Sequence, residues 1–119
     1  MRARQLGITL GLGTPGALNA ITDVPGVRVG HSTLKTRVDS KQVCTGVTVI
    51  QPRAGEARHQ PCFAGYHVLN GNGDATGLEW IREAGLLTTP LAITNTHSIG
   101  IVRDRSEEHT SELQSPPLS

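Results

Sequence analysis

The chain is poor in aromatic residues. It has one Phe, one Tyr and one Trp in 119 residues, an aromatic share of 3%. Few large side chains are therefore available to fill a core. Methionine occurs once and cysteine twice. Cys44 and Cys62 form no CxxC pair and no metal-ligand spacing, which excludes a disulfide scaffold or a zinc ribbon. No apolar run approaches the roughly 18 residues that a membrane span needs. The basic start, Met1-Arg2-Ala3-Arg4, is followed only by a short Gly-rich apolar patch at residues 8–12, too short for a secretory leader. A cytoplasmic setting with two reduced, core-facing cysteines is the expectation. Charge of one sign is also missing. The net charge is +1, and no basic run interleaved with aromatics points to nucleic acid.

Glycine and proline are what the chain has in quantity, 14 and 7 residues. They imply many turns. The hydrophobic share is 36%, against about 45–50% for ordinary domains when Gly is counted as apolar. These numbers suit a piece of a larger domain better than a free-standing one.

Residues 6–20 read as an irregular Gly-rich loop. Asp23-Val24-Pro25-Gly26 follows as a tight turn, with Pro pre-setting the backbone and Gly supplying positive φ. Val27, Val29 and His31 alternate with Arg28 and Gly30, as in a strand. Residues 43–50 form a second strand rich in β-branched side chains, broken at Pro52. Residues 63–69 make a possible third. Thr76 and Glu79 have capping-box spacing and open a helix. Leu78, Ile81 and Ala84 line its apolar face, Glu79, Arg82 and Glu83 point away, and Gly85 ends it. Trp80 is expected in the core or between elements. Residues 91–94 form a last strand after Pro90. The class is mixed α/β.

Several motifs match in letters and fail in mechanism. Gly11-Leu12-Gly13-Thr14-Pro15-Gly16 spells GxGxxG, but only a short apolar patch precedes it and Pro15 and Pro25 leave no room for a long helix behind it. Asn70, Asn72 and Asp74 imitate the opening of a calcium loop, yet Ala75 and Ile81 stand where Gly and Glu are required. His31, His59, His67 and His97 have no metal-ligand spacing, so no metal and no cofactor are expected. Thr96-His97-Ser98-Ile99-Gly100 approximates GxSxG, with Thr96 in place of the first Gly. Ser98 reads better as a cap or a strand-end hydroxyl.

The last residues differ in kind. Residues 105–115, RSEEHTSELQS, are the in-frame translation of a common short-read sequencing adapter, codon by codon. We therefore expect native sequence at residues 1–104 and an adapter-derived, disordered tail at residues 105–119, which carries no chemistry.

Three blocks carry a resemblance. They are TPGALNAITDVPGVRVGHSTL (residues 14–34), FAGYHVLNGNGDATGLEWIREAGLL (63–87) and PLAITNTHSIGIVRD (90–104), with TGVTVI (45–50) between them. Together they resemble the opening of the L-aminopeptidase/D-esterase family, which includes the DmpA-like and β-peptidyl aminopeptidases. The likeness covers nearly all of residues 1–104. It implies an αββα sandwich, incomplete here, of the N-terminal-nucleophile hydrolase type. It implies a precursor that cuts itself before a Ser or Thr, whose freed hydroxyl then attacks peptides, amides or esters at their N-terminal residue. It further implies a homo-oligomer without a metal, in which these residues pair with their own downstream β-chain. The nucleophile would lie in that downstream part, so these residues alone would be inactive and no catalytic residue is assigned among them.

For substrate binding, the loop of Asn70, Asn72 and Asp74 is the first candidate. An aminopeptidase must recognise an ammonium group, and a carboxylate is its natural partner. Asp74 stands where the family more often has Glu, one methylene longer. The alternative is an Asp that only stabilises the turn or the helix start. Asn95 and His97, at the end of the last strand, are further candidates, or else satisfy backbone groups there. The sequence leaves two other functions open: a related self-processing acyltransferase, and a non-catalytic binding or scaffold module.

Overall fold

The computed structural model describes residues 1–98. The expected tail and the Ile99-Gly100 end of the GxSxG-like motif lie outside the described residues. Among the described residues, two antiparallel sheets, one short α-helix and three 3₁₀ turns make up the regular structure. Strands β1 (Arg28–Val38) and β2 (Lys41–Gln51) form a long hairpin, and β5 (Leu91–Ile93) adds to the far side of β2, giving the order β1-β2-β5. Strands β3 (Cys62–Phe63) and β4 (Leu86–Leu87) pair separately, with the helix α1 (Leu78–Ala84) between them in sequence. The class is mixed α/β, as expected, with antiparallel pairing throughout.

The turn before β1 forms as its residues dictate. Val27 N donates to Val24 O at 3.2 Å, and Gly26 has φ +89°, so Pro25 and Gly26 occupy the two central positions of a type II turn. β1 runs seven residues beyond His31. Ser32 to Val38 continue the alternation, with Leu34, Thr36 and Val38 on one face and Lys35 and Arg37 on the other. The strand ends because Asp39 and Ser40 turn the chain, with φ +49° and +64°. Val38 pairs with Lys41, so these two residues form a two-residue loop with both central φ positive, the type I′ geometry that suits the twist of a hairpin.

The helix is built as its apolar spacing requires. Leu78, Ile81 and Ala84 are half-buried, while Glu79, Arg82 and Glu83 are exposed. Gly85 ends it in the left-handed conformation at φ +66°, its N–H bonded to Ile81 O at 2.8 Å. Arg82 and Glu79 pair on the exposed side. The start differs from expectation. Gly77, at φ +84°, is the N-cap, and no side chain caps the helix. The chain turns at Gly77 because glycine enters the left-handed region without steric cost, which leaves Thr76 outside the first turn.

Three other expectations are corrected. Of the expected third strand, residues 63–69, only Phe63 pairs, together with Cys62 before it, and residues 64–70 form no strand, Ala64 N bonding instead to Gly85 O. Trp80 is about half exposed rather than buried. Cys44 is exposed and Cys62 half-buried, so neither sits in a core.

Among the described residues none is buried. The radius of gyration is 17.5 Å, against about 13 Å for a compact chain of this size. Register explains why. Leu34, Val38, Val43, Val47, Val49 and Ala92 share one face of the β1-β2-β5 sheet, and Val29, Ile50, Leu91 and Ile93 share the other. Both faces carry apolar side chains, the pattern of a sheet covered on both sides. Covering a Val, Leu or Ile side chain is worth about 1.5–3 kcal/mol, and that stabilisation is not realised within these residues.

Candidate functional site

The loop of residues 70–77 is exposed along its whole length. Asn70 Oδ1 accepts the backbone N–H of Asn72 at 2.9 Å, an Asx turn that folds the loop on itself. Asp74 lies beyond that turn and four residues before the helix. Among the described residues its carboxylate meets no hydrogen-bond donor and no cation. It therefore caps neither the turn nor the helix, whose N-cap is Gly77. Asp74 is an exposed carboxylate on a glycine-rich loop.

The second group lies at the end of β5. The backbone ladder of β5 with β2 stops at Ile93, opposite Thr48. Side chains continue the connection. The Thr94 hydroxyl donates to Gly46 O at 3.0 Å, and Asn95 Nδ2 donates to the Thr45 hydroxyl at 2.9 Å. Ser98 N then bonds Asn95 O at 3.1 Å, closing the 3₁₀ turn Thr96–Ser98 in which His97 sits. Asn95 thus belongs to a built junction between β2 and β5. Among the described residues no hydrogen bond joins this junction to the loop of Asn70, Asn72 and Asp74.

Sequence reasoning missed the strongest electrostatic feature. The Asp23 carboxylate accepts the backbone N–H of Leu18 at 2.9 Å and of Ala20 at 3.1 Å. Arg2 closes the loop from the other side, its Nη1 donating to Leu18 O at 2.5 Å and Asn19 O at 2.8 Å. The Asp23 pKa is lowered, first by the Leu18 N–H and then by the Ala20 N–H, against desolvation, with smaller help from Asn19 and the Arg2 charge. Gly16, Asn19, Ala20, Ile21 and Asp23 line a shallow open concavity there. The available signal was the acid three residues after Ala20, a spacing that lets a side chain reach back to a free backbone N–H.

The histidines remain dispersed. His31 Nδ1 lies 2.9 Å from the Thr48 hydroxyl, its cross-strand partner, and His59 Nδ1 lies 2.8 Å from Glu56 Oε2. Among the described residues no group of three or more His, Cys, Asp or Glu could hold a metal ion. Among them also, no helix is long and apolar enough to cross a membrane.

The model of peptidase family S58 matches residues 19–117. A β-peptidyl aminopeptidase BapA of Sphingosinicella microcystinivorans is 47% identical over 108 residues, covering 87% of this chain and 27% of that protein. Among solved structures, a β-aminopeptidase of Burkholderia sp. is 66% identical, with a TM-score of 0.87 over 100% of this chain and 34% of its own. The L-aminopeptidase D-Ala-esterase/amidase of Ochrobactrum anthropi, described as a variant of the Ntn hydrolase fold, is 37% identical, with a TM-score of 0.74 over 99% of this chain and 35% of its own. The chain spans 27% to 35% of the lengths of these relatives, and it belongs to peptidase family S58.

Proposed function

We propose that these residues are the N-terminal part of an aminopeptidase that releases N-terminal residues from peptides, amides or esters. The observation that carries the reading is identity of 47% and 66% to two such enzymes over nearly the whole chain. The nucleophile is a Ser or Thr freed by self-cleavage in the downstream part, and acyl transfer proceeds through that hydroxyl with neither metal nor cofactor. The complete fold is an αββα sandwich. The apolar residues on both faces of the β1-β2-β5 sheet support it, since one face needs a second sheet and the other needs helices. The downstream β-chain supplies those layers, and the intact enzyme is a homo-oligomer in the cytoplasm. Cys44 and Cys62, both free thiols, suit that compartment.

Asp74 binds the substrate ammonium group, on a loop shaped by Asn70 and Asn72, and Asn95 and His97 line the same cleft in the assembled enzyme. Its carboxylate, exposed and without a partner among the described residues, supports the role of Asp74. Replacing it in the intact enzyme tests the assignment. Asp74→Asn removes the charge and keeps the shape, so KM for amino-acid p-nitroanilides rises about tenfold or more, as expected for a lost charge-assisted contact. Unchanged KM would remove Asp74 from the site.

A further inference from the structure

Asn70-Gly71 and Asn72-Gly73 are two Asn-Gly pairs in succession on the exposed loop of residues 70–77. The side-chain carbonyl carbon of an asparagine lies within reach of the next residue's backbone nitrogen. A Cβ on that next residue hinders their meeting, and glycine has none. Glycine is ordinarily required where φ is positive or where another group comes too close for a side chain. Neither reason holds here. Gly77 and Gly85 have positive φ, but Gly71 and Gly73 do not. A Cβ on either would meet nothing within 4 Å among the described residues.

The two pairs differ in one bond. Asn70 Oδ1 accepts the Asn72 N–H at 2.9 Å, so the Asn70 side chain must break that bond before it can turn toward Gly71 N. Among the described residues the Asn72 side chain makes no hydrogen bond, and the Gly73 N–H donates to no acceptor. The other asparagines of the described residues are each followed by a residue with a Cβ, Asn19 by Ala20 and Asn95 by Thr96.

We propose that Asn72 is a site of spontaneous deamidation, with the Gly73 nitrogen as the nucleophile. The Gly73 amide gives its proton to hydroxide and attacks Asn72 Cγ. The new N–Cγ bond closes a succinimide ring. The Cγ–Nδ2 bond breaks, and Nδ2 leaves as ammonia with a proton from water, which regenerates hydroxide. Water then opens the imide. Hydrolysis of the N–Cγ bond leaves aspartate, and hydrolysis of the bond from that nitrogen to the main-chain carbonyl leaves isoaspartate. Either product ionises, so the loop gains a negative charge two residues before Asp74. The modification does not rest on the aminopeptidase reading. On that reading, the new charge appears beside the group that takes the substrate ammonium, and the charge of the loop depends on the age of the protein.

The test is peptide mapping by mass spectrometry of the intact enzyme, stored in mildly alkaline water enriched in heavy oxygen. Solvent oxygen enters at residue 72 as the imide opens, so conversion in the folded protein is marked. The readout is mass, and an enzyme that cleaves no peptide still gives it. We expect Asn72 to convert about fivefold faster than Asn70, the difference that one hydrogen bond makes, and Asn95 to stay an amide over the same period. Gly73→Ala slows conversion at Asn72 about tenfold or more, by placing a Cβ beside the nucleophile. The rate rises with pH, because the Gly73 proton must leave first. An Asn72 that stays an amide while the isolated peptide of residues 70–76 converts overturns the proposal. So does a rate that Gly73→Ala leaves unchanged. Equal rates at Asn70 and Asn72 overturn it as well, and that comparison within the wild type decides alone if Gly73→Ala does not fold.

Discussion

Gly16 and Asp23 are in such close approach that a Cβ on Gly16 would lie 2.6 Å from Asp23 Oδ2. The same carboxylate holds the N–H groups of Leu18 and Ala20. Gly16→Ala therefore pushes the carboxylate off these donors. We expect faster deuterium uptake in the peptide spanning residues 16–24 of the intact enzyme, with Asp23→Asn giving the same change. The pH dependence follows from the lowered pKa. A depressed carboxylate contributes its stabilisation fully above its ordinary value of 3.8, and loses it as pH falls through the lowered folded value. The Tm difference between wild type and Asp23→Asn should thus be constant above about pH 5 and shrink below pH 3.8. A difference that grows on acidification would contradict this.

Ser40 carries φ +64° in the β1–β2 turn. Left-handed backbone costs a residue with a Cβ about 1–2 kcal/mol, and glycine escapes that cost. Ser40→Gly should stabilise the intact protein by about 1 kcal/mol in denaturant titration. Loss of stability would show that the turn is not of the I′ type.

Gly46 sits in mid-strand, where glycine ordinarily weakens a sheet. It is required because Ser32 O occupies the space of a Cβ. Gly46→Ala should cost about 1–3 kcal/mol, as overpacking does, and should weaken the Thr94 bond to its carbonyl. A variant as stable as wild type would contradict the close approach.

Local chemistry was legible in the sequence and long-range pairing was not. Pro25-Gly26 and Gly85 could be read directly, because backbone freedom is a property of the residue itself. The helix face of Leu78, Ile81 and Ala84 followed from spacing alone. The extension of β1 to Val38 was missed because Asp39-Ser40 lacks the glycine that marks most type I′ turns. Residues 63–69 have strand-like composition, but of these only Phe63 finds a strand partner among the described residues. Thr76 lost the cap to Gly77, whose conformational freedom does not show in a capping-box pattern. Asn70, Asn72 and Asp74 form a loop as expected, and it is exposed. Thr45 escaped notice because its partner, Asn95, is 50 residues away, and only register brings them together. Arg2 and Asp23 are hidden in the same way, through backbone groups of Leu18, Asn19 and Ala20.

A long read of the source gene should leave the adapter codons behind after Asp104 and continue in frame. Finding the RSEEHTSELQS codons in genomic DNA would make the segment native.

Mass spectrometry of the intact gene product, purified and incubated with an amino-acid p-nitroanilide, reads self-processing and activity together. We expect two chains from one precursor, the second beginning with Ser or Thr, and release of nitroaniline that stops when that residue is replaced by Ala. A single uncleaved chain that releases no nitroaniline would contradict the reading of this protein as a self-processing aminopeptidase.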